Sequence, residues 1–348
     1  MPKQTQTIFR NISYLSSAQI LSAVFGFVTL TVLSRALGPG HFGILGFGTA
    51  VLGFLGIFTT LGSDQLGARE IARSPDKTGT YATRLLVLRV ILATLAYGIL
   101  IIFDMFTARG ELESKILLIQ GLGVFVTAFT LDYLFQGMRE LGWIALRQIT
   151  TTGLILVAVV LFIHSSSDLM TAAWIYVVAG GFVTLLILIK GIKTILSYRP
   201  QFPKGEWRSL FAAMLPIAIA GTMQAVILNT DLVMLGIIRT HEEVGLYTAT
   251  VRIAILVLIP AGLVITALFP ELARNAEKYE MRAKSARYYA VILLFIGIPL
   301  PCLVMMQPGS VLEFVFGINF ITGTYVLTIM MFTSLATHLR MIFDTPLI

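Results

Sequence analysis

The sequence predicts an all-α, polytopic membrane protein of about ten transmembrane helices, arranged as two repeats that run in the same direction. Three observations predict it. Of 348 residues, 57% are hydrophobic and 12% charged, against about 25% charged in soluble domains, and the mean hydropathy is +0.88. Apolar runs recur along the whole length, each near the ~20 residues a helix needs to cross a hydrocarbon core of about 30 Å. None shows the ~10-residue alternation of barrel strands, and lipid offers the backbone no hydrogen-bond partner, so runs this uniformly apolar are helices.

The first span, 12 to 34, follows a basic start with Lys3 and Arg10. Its length and the lack of an A-x-A cleavage pattern mark it as a retained helix and not a signal peptide. Ser13, Ser16, Ser17, Gln19, Ser22 and Thr29 make it more polar than a lipid-facing helix, so it is expected to line the interior, with Arg35 capping its outer end. The second span, 42 to 62, holds GFG at 46 to 48 inside an apolar helix, where glycine serves helix packing and not a phosphate cradle.

The third and fourth spans are 85 to 104 and 116 to 137. On the fourth, Asp132, Gln136 and Arg139 follow i, i+4, i+7 and draw a polar line toward the cytoplasmic end. Spans 144 to 163 and 170 to 192 complete a first lobe, residues 1–192. The stretch KTILSYRPQFPKGEWR, 193 to 208, with two prolines, a glycine and several cations, reads as a cytoplasmic linker to a second lobe, 209–348.

In the seventh span, 209 to 232, Pro216 is an expected kink. Gln224 and Asp231 share one face there, and Thr222 and Asn229 another. The eighth span, 244 to 268, contains Arg252, and 100° per residue puts Gly245, Thr248 and Ala249 on its face, so small residues leave space beside the guanidinium. A charge at membrane depth costs about 2.5 kcal/mol or more, so Arg252 is expected to line a cavity or to pair internally. Asp231 is the evident partner. Two readings stand: a structural ion pair joining the seventh and eighth helices, or an anion site whose cation the carboxylate holds in position. The ninth and tenth spans are 290 to 306, where the single cysteine Cys302 reads as a packing residue, and 321 to 339.

Charge sets the orientation. With the N-terminus inside, 20 of the 25 Lys and Arg residues fall on one side. They include Lys3, Arg10, Arg69, Arg73, Lys77, Arg84, Arg89, Arg139, Arg147, the linker cations and those between Arg274 and Arg287. The opposite loops hold Arg35, Arg109, Lys115 and Arg239, which leaves Arg252 as the one basic residue without a side. The positive-inside rule therefore predicts a cytoplasmic N-terminus, and the net charge of +7 reads as topology with no nucleic-acid footprint.

An internal repeat supports two lobes. LGPGHFGILGFGTAV (37 to 51) parallels LGIIRTHEEVGLYTATV (235 to 251), and AREIAR (68 to 73) parallels PELAR (270 to 274). Six crossings separate the copies, so the lobes are expected to be parallel repeats about an axis along the membrane normal. Six helices per lobe predicts twelve; the sequence carries about ten, so the second lobe is expected to be incomplete or short.

The residue types argue against an enzyme. His41, His164, His241 and His338 are scattered, with no HExxH, P-loop or GxSxG. One cysteine allows neither a disulfide framework nor a Cys/His metal site. No catalytic group, cofactor or metal is expected.

Four phrases, in order, resemble a known group: SRALGPGHFGILGFGTA (34 to 50), LFQGMRE (134 to 140), DLVMLG (231 to 236) with VGLYTATVRI (244 to 253), and VFGINF (315 to 320). They are similar to the polysaccharide and oligosaccharide-lipid flippases of the multidrug/oligosaccharidyl-lipid/polysaccharide exporter superfamily. The resemblance spans the whole chain. It implies two lobes rocking around a central cavity, and export of an undecaprenyl-diphosphate-linked saccharide from the cytoplasmic to the outer leaflet. The implied partners are that lipid-linked oligosaccharide, membrane lipids, and polysaccharide polymerase or chain-length machinery.

Some related flippases bind the lipid diphosphate through a cavity arginine on the eighth helix, and Arg252 lies on the matching helix. Arg35 occupies a position where the family often has arginine. The expected site is therefore Arg252 oriented by Asp231 and aided by Arg35, with Gln19, Asp132, Gln136, Gln224 and Asn229 available to the sugar, while Arg69 and Arg73 are solvated. Two alternatives remain. A multidrug or organic-cation exporter of the same superfamily would rely on acidic cavity groups, and a membrane-embedded polysaccharide polymerase or ligase would carry a long external loop, whereas the outer loops here are about 5 to 17 residues.

Overall fold

The computed structural model describes residues 3–107, 109–198, 207–274 and 297–344, with 287, 290–291 and 294–295 between them; side chains are described from residue 14 onward, except at 208–209, 263–274 and 342–344. Residues 199–206 of the expected linker, parts of the ninth span (292–293 and 296), and the cations Lys278, Arg282 and Lys284 lie outside the described residues.

All regular structure among the described residues is helical. The first helix, α1, runs from Lys3 to Thr60 and bends at Gly38, whose φ of 72° and ψ of 169° are open only to glycine. It therefore absorbs both of the first two predicted spans. Helix α2 is Ser63–Arg73, α3 Thr78–Thr107, α4 Glu111–Gly121, α5 Gly123–Ala128, α6 Asp132–Gly137, α7 Leu141–Phe162 and α8 Leu169–Ser197. Helices α9 (Trp207–Ile238, continuing through Pro216) and α10 (His241–Arg274) follow. The last three are α11 (Pro299–Met306), α12 (Pro308–Phe316) and α13 (Thr324–Asp344).

Among the described residues, eight helices are long and apolar enough to cross a membrane, or nine if α11 and α12, bent by 89° to each other, are one span. The sequence predicted ten. Part of the difference is the merger: Tyr14–Arg73 is a single apolar stretch of 60 residues, bent at Gly38 and interrupted at Leu61–Gly62, about 90 Å at 1.5 Å per residue, enough for two crossings.

The predicted fourth span stands as one apolar stretch, Glu111–Gly137, but its helix is not continuous. It is three short helices, α4, α5 and α6, with interruptions at Leu122 and at 129–131. At the second interruption the Leu134 amide donates to Leu131 O at 3.0 Å, so it does not close the helical bond to Thr130 O. Apolar periodicity does not report such a break, because Leu122, Phe129 and Leu131 are as apolar as the helix around them and a single Thr130 is common inside membrane helices.

The chain divides into two units, Met1–His241 and Glu242–Ile348. In the first, α1 packs on α7 and α9, and α2 packs on α6 and α3. The apolar core there joins Leu66 and Ile71 of α2, Leu85, Leu88 and Leu92 of α3, Tyr133, Leu134 and Phe135 of α6, and Met214 of α9. In the second, Leu312, Phe316, Phe320, Leu327 and Met331 are buried, and the Phe316 and Phe320 rings lie 5.6 Å apart.

Glycine sets how closely α2 and α6 approach. A Cβ at Gly137 would stand 2.7 Å from Ile71 Cβ and 3.0 Å from the Ala68 carbonyl oxygen, a backbone atom that cannot rotate away. Gly137→Ala is expected to cost about 1–3 kcal/mol through overpacking, read as a lowered unfolding midpoint of the purified protein in detergent. Gly48, predicted to be a packing glycine, behaves as such: the buried Gln120 side chain lies over its Cα, with Gln120 Nε2 donating to Leu45 O at 3.2 Å.

Candidate functional site

Charged side chains on apolar spans are where function is sought, because lipid makes each costly unless it is paired or faces water. The most buried is Arg89, at 1% exposure. It sits 11 residues into α3, about 16 Å along the helix axis. Its Nε donates to Ser63 Oγ at 2.6 Å, Nη2 to Asp64 Oδ1 at 2.6 Å and Nη1 to Thr130 O at 2.8 Å. The guanidinium also lies 4.5 Å from the Tyr133 ring centroid, and the Tyr133 hydroxyl donates to Ala82 O at 3.0 Å.

This corrects the charge count. A span beginning at 85 sets Arg89 near a helix end, whereas α3 begins at Thr78 and places Arg89 in the protein interior. Arg84 is likewise buried, at 4% exposure. Arg252 is thus not the single basic residue set into a span. The signal that reveals Arg89 in the sequence is the Gly62-Ser63-Asp64 turn, which supplies a carboxylate and a hydroxyl opposite it.

A second pair joins α6 to α7. Arg147 Nε donates to Asp132 Oδ1 at 2.9 Å, and Nη2 to Oδ2 at 2.5 Å, a two-pronged contact between partners 22% and 26% exposed. The expected line Asp132, Gln136, Arg139 is not a straight polar ridge. Helix α6 ends at Gly137, and Arg139 takes a φ of 61° in the turn beyond it.

A third polar group lies where α3 meets α4. Asp104 accepts from Ser114, His241 Nε2 lies 2.6 Å from Glu113 Oε1, and the Arg109 guanidinium stacks 3.8 Å over Phe47. Burial pulls the Arg109 pKa below its ordinary value while Glu113 and Asp104 push it back up; an arginine remains cationic under both influences.

The eight predicted site residues are distributed as follows. Arg252 is half-buried on α10, and the small residues beside it, Gly245, Thr248 and Ala249, are buried, so that face is packed and not open. Asp231 is exposed on α9, with Oδ1 accepting the Leu232 amide at 2.8 Å. It belongs to the first unit and Arg252 to the second. Arg35 is exposed within α1, three residues before the bend, and so does not cap a helix end. Asn229 packs over Gly53 and donates to Ala225 O at 3.1 Å. Gln19, Gln136 and Gln224 are exposed on α1, α6 and α9, and Asp132 is held by Arg147.

Comparison with known proteins adds three findings. A family model described as "Polysaccharide biosynthesis protein" matches residues 8–276, more than three quarters of the chain. A protein of Escherichia coli (strain K12) named "Putative O-antigen transporter" is 25% identical over 191 residues, which cover 52% of this chain and 45% of that protein. The fold matches a multidrug resistance MATE family transporter of the MOP superfamily in its inward-facing conformation, with TM-score 0.69, 17% identity, and coverage of 97% of this chain and 87% of that one. It also matches a MOP superfamily transporter from Pyrococcus furiosus with TM-score 0.51, 16% identity, and coverage of 97% and 82%.

Proposed function

The chain belongs to the polysaccharide biosynthesis protein family, and from that premise we propose that it moves an undecaprenyl-diphosphate-linked oligosaccharide from the cytoplasmic to the outer leaflet of the cell membrane by alternating access. The family match over residues 8–276 carries this reading. The MATE-like fold supports a transporter over an enzyme, since a fold is a scaffold for a motion and its substrate must be argued from side chains.

The side chains favour an anionic, sugar-bearing substrate. Gln19, Gln136 and Gln224 leave amides uncovered on apolar helices, where facing hydrocarbon would cost each several hydrogen bonds; a watery cavity that admits a saccharide removes that cost. Asp64 and Asp132 already pair with arginines, which disfavours the organic-cation reading, because such an exporter needs an acid free to receive a cation. Arg252 is assigned to the diphosphate, for which a guanidinium offers permanent charge and two parallel donors. The N-terminus lies in the cytoplasm in this scheme, and the flipped unit passes to the polymerase and chain-length machinery.

Translocation of a lipid-linked oligosaccharide into reconstituted vesicles tests the assignment. Arg252→Ala is expected to lower the rate about tenfold, the loss of one charge-assisted contact, with Arg252→Lys in between and Asp231→Asn also impaired. Full activity of Arg252→Ala at equal protein level removes Arg252 from the mechanism.

A further inference from the structure

We propose that Arg89 couples two of the helix interruptions of the first unit, at Leu61–Gly62 and at 129–131, into one hinge line, so that α2 and α6 move together as a single gate segment. The first interruption separates α1 from α2, where Leu61 has a φ of 45° and Gly62 a φ of 76°. A leucine in that region is held there by its surroundings, and strain of this kind gathers at moving parts. The second separates α5 from α6, and leaves the Thr130 carbonyl without its helical donor.

One guanidinium serves both. Two of its donors reach the residues that follow the first interruption, Ser63 and Asp64, and a third reaches Thr130 O in the second. Because the fork is planar and rigid, displacing either partner tilts the donors offered to the other. Unbroken helices would satisfy these backbone groups by themselves in lipid. The protein instead keeps two breaks and buries a cation between them.

Beyond the breaks, α2 and α6 form one body. Gly137 of α6 lies against Ile71 and the Ala68 carbonyl of α2, and Gly67 of α2 against the Tyr133 ring of α6. Arg89 is 1% exposed while Asp64 is 38% exposed, so the clamp is sealed on the α3 side and open on the α2 side. In this proposal the α2–α6 pair is the moving part and α3, which carries the guanidinium, is its anchor. This coupling is independent of what is transported.

Amide hydrogen exchange of the full chain in nanodiscs, with no substrate present, is the test. In Arg89→Gln, peptides covering 57–66 and 128–135 are both expected to exchange about tenfold faster, to a similar degree, while the α1 bend at 36–41 stays at the wild-type rate. Arg89→Lys is expected to fall between, since an ammonium keeps the charge but not the fork. If Arg89→Gln does not fold, Asp64→Asn replaces it, and the same paired acceleration is expected at smaller size. Acceleration of only one interruption, of neither, or of the 36–41 control to the same extent overturns the coupling.

Discussion

Arg89→Met is expected to lower the stability of the first unit by about 2–3 kcal/mol, because acceptors inside the protein lose their donor at about 1–3 kcal/mol each, while the Asp64 carboxylate, 38% exposed, can turn to solvent. The groups that lose their donor are the Ser63 hydroxyl and the Thr130 carbonyl, both served by this one side chain. The unfolding midpoint in mixed detergent micelles is the measurement. Arg147→Met supplies the comparison. Its pair with Asp132 is 22% and 26% exposed, so solvent screens it and its removal is expected to cost only about 1 kcal/mol. Equal losses in the two arginine variants would contradict the burial argument.

Gly62→Ala is the second large effect, at about 2–4 kcal/mol, from two causes that add. The position has a φ of 76°, which a Cβ makes unfavourable by roughly 1 kcal/mol. The same Cβ would stand 2.9 Å from Ile217 Cβ and 3.1 Å from the Ala218 amide nitrogen, so α9 must shift, at a typical 1–3 kcal/mol. Gly56→Ala, a turn and a half earlier in α1, has open space around it and an ordinary helical backbone. It is expected to be neutral, or to stabilise by roughly 0.5–1 kcal/mol through helix propensity. Thermal unfolding of the two variants side by side separates backbone and packing effects from any general intolerance of alanine in this helix.

Much of the fold was legible in the sequence because membrane helices are announced by length and apolarity. The helix packing role of Gly48 was legible too, from its place inside an apolar run. The broken fourth helix was not, because its freed carbonyl is capped from another helix, by a residue 41 positions away, and nothing local to the break names that partner. Among candidate site residues, the exposed Gln19, Gln136 and Gln224 stood out as polar letters in apolar text. Asp132 stood out equally, yet its function in the structure is to meet Arg147, fifteen residues later. A polar residue in a span announces that it needs a partner and is silent on which one.

By itself, the sequence determined that this is a helical membrane protein with many apolar spans. That follows from free energies summed over each run of residues, and each residue contributes to the sum without reference to its neighbours in space. Only the tertiary structure decided that Arg89 is buried and that Leu61 takes a left-handed conformation. It also showed that one guanidinium serves a carbonyl 41 residues away. The physical reason is that helix interruptions and buried charges are each unfavourable alone and tolerable only together, so neither is readable from the local sequence that contains it.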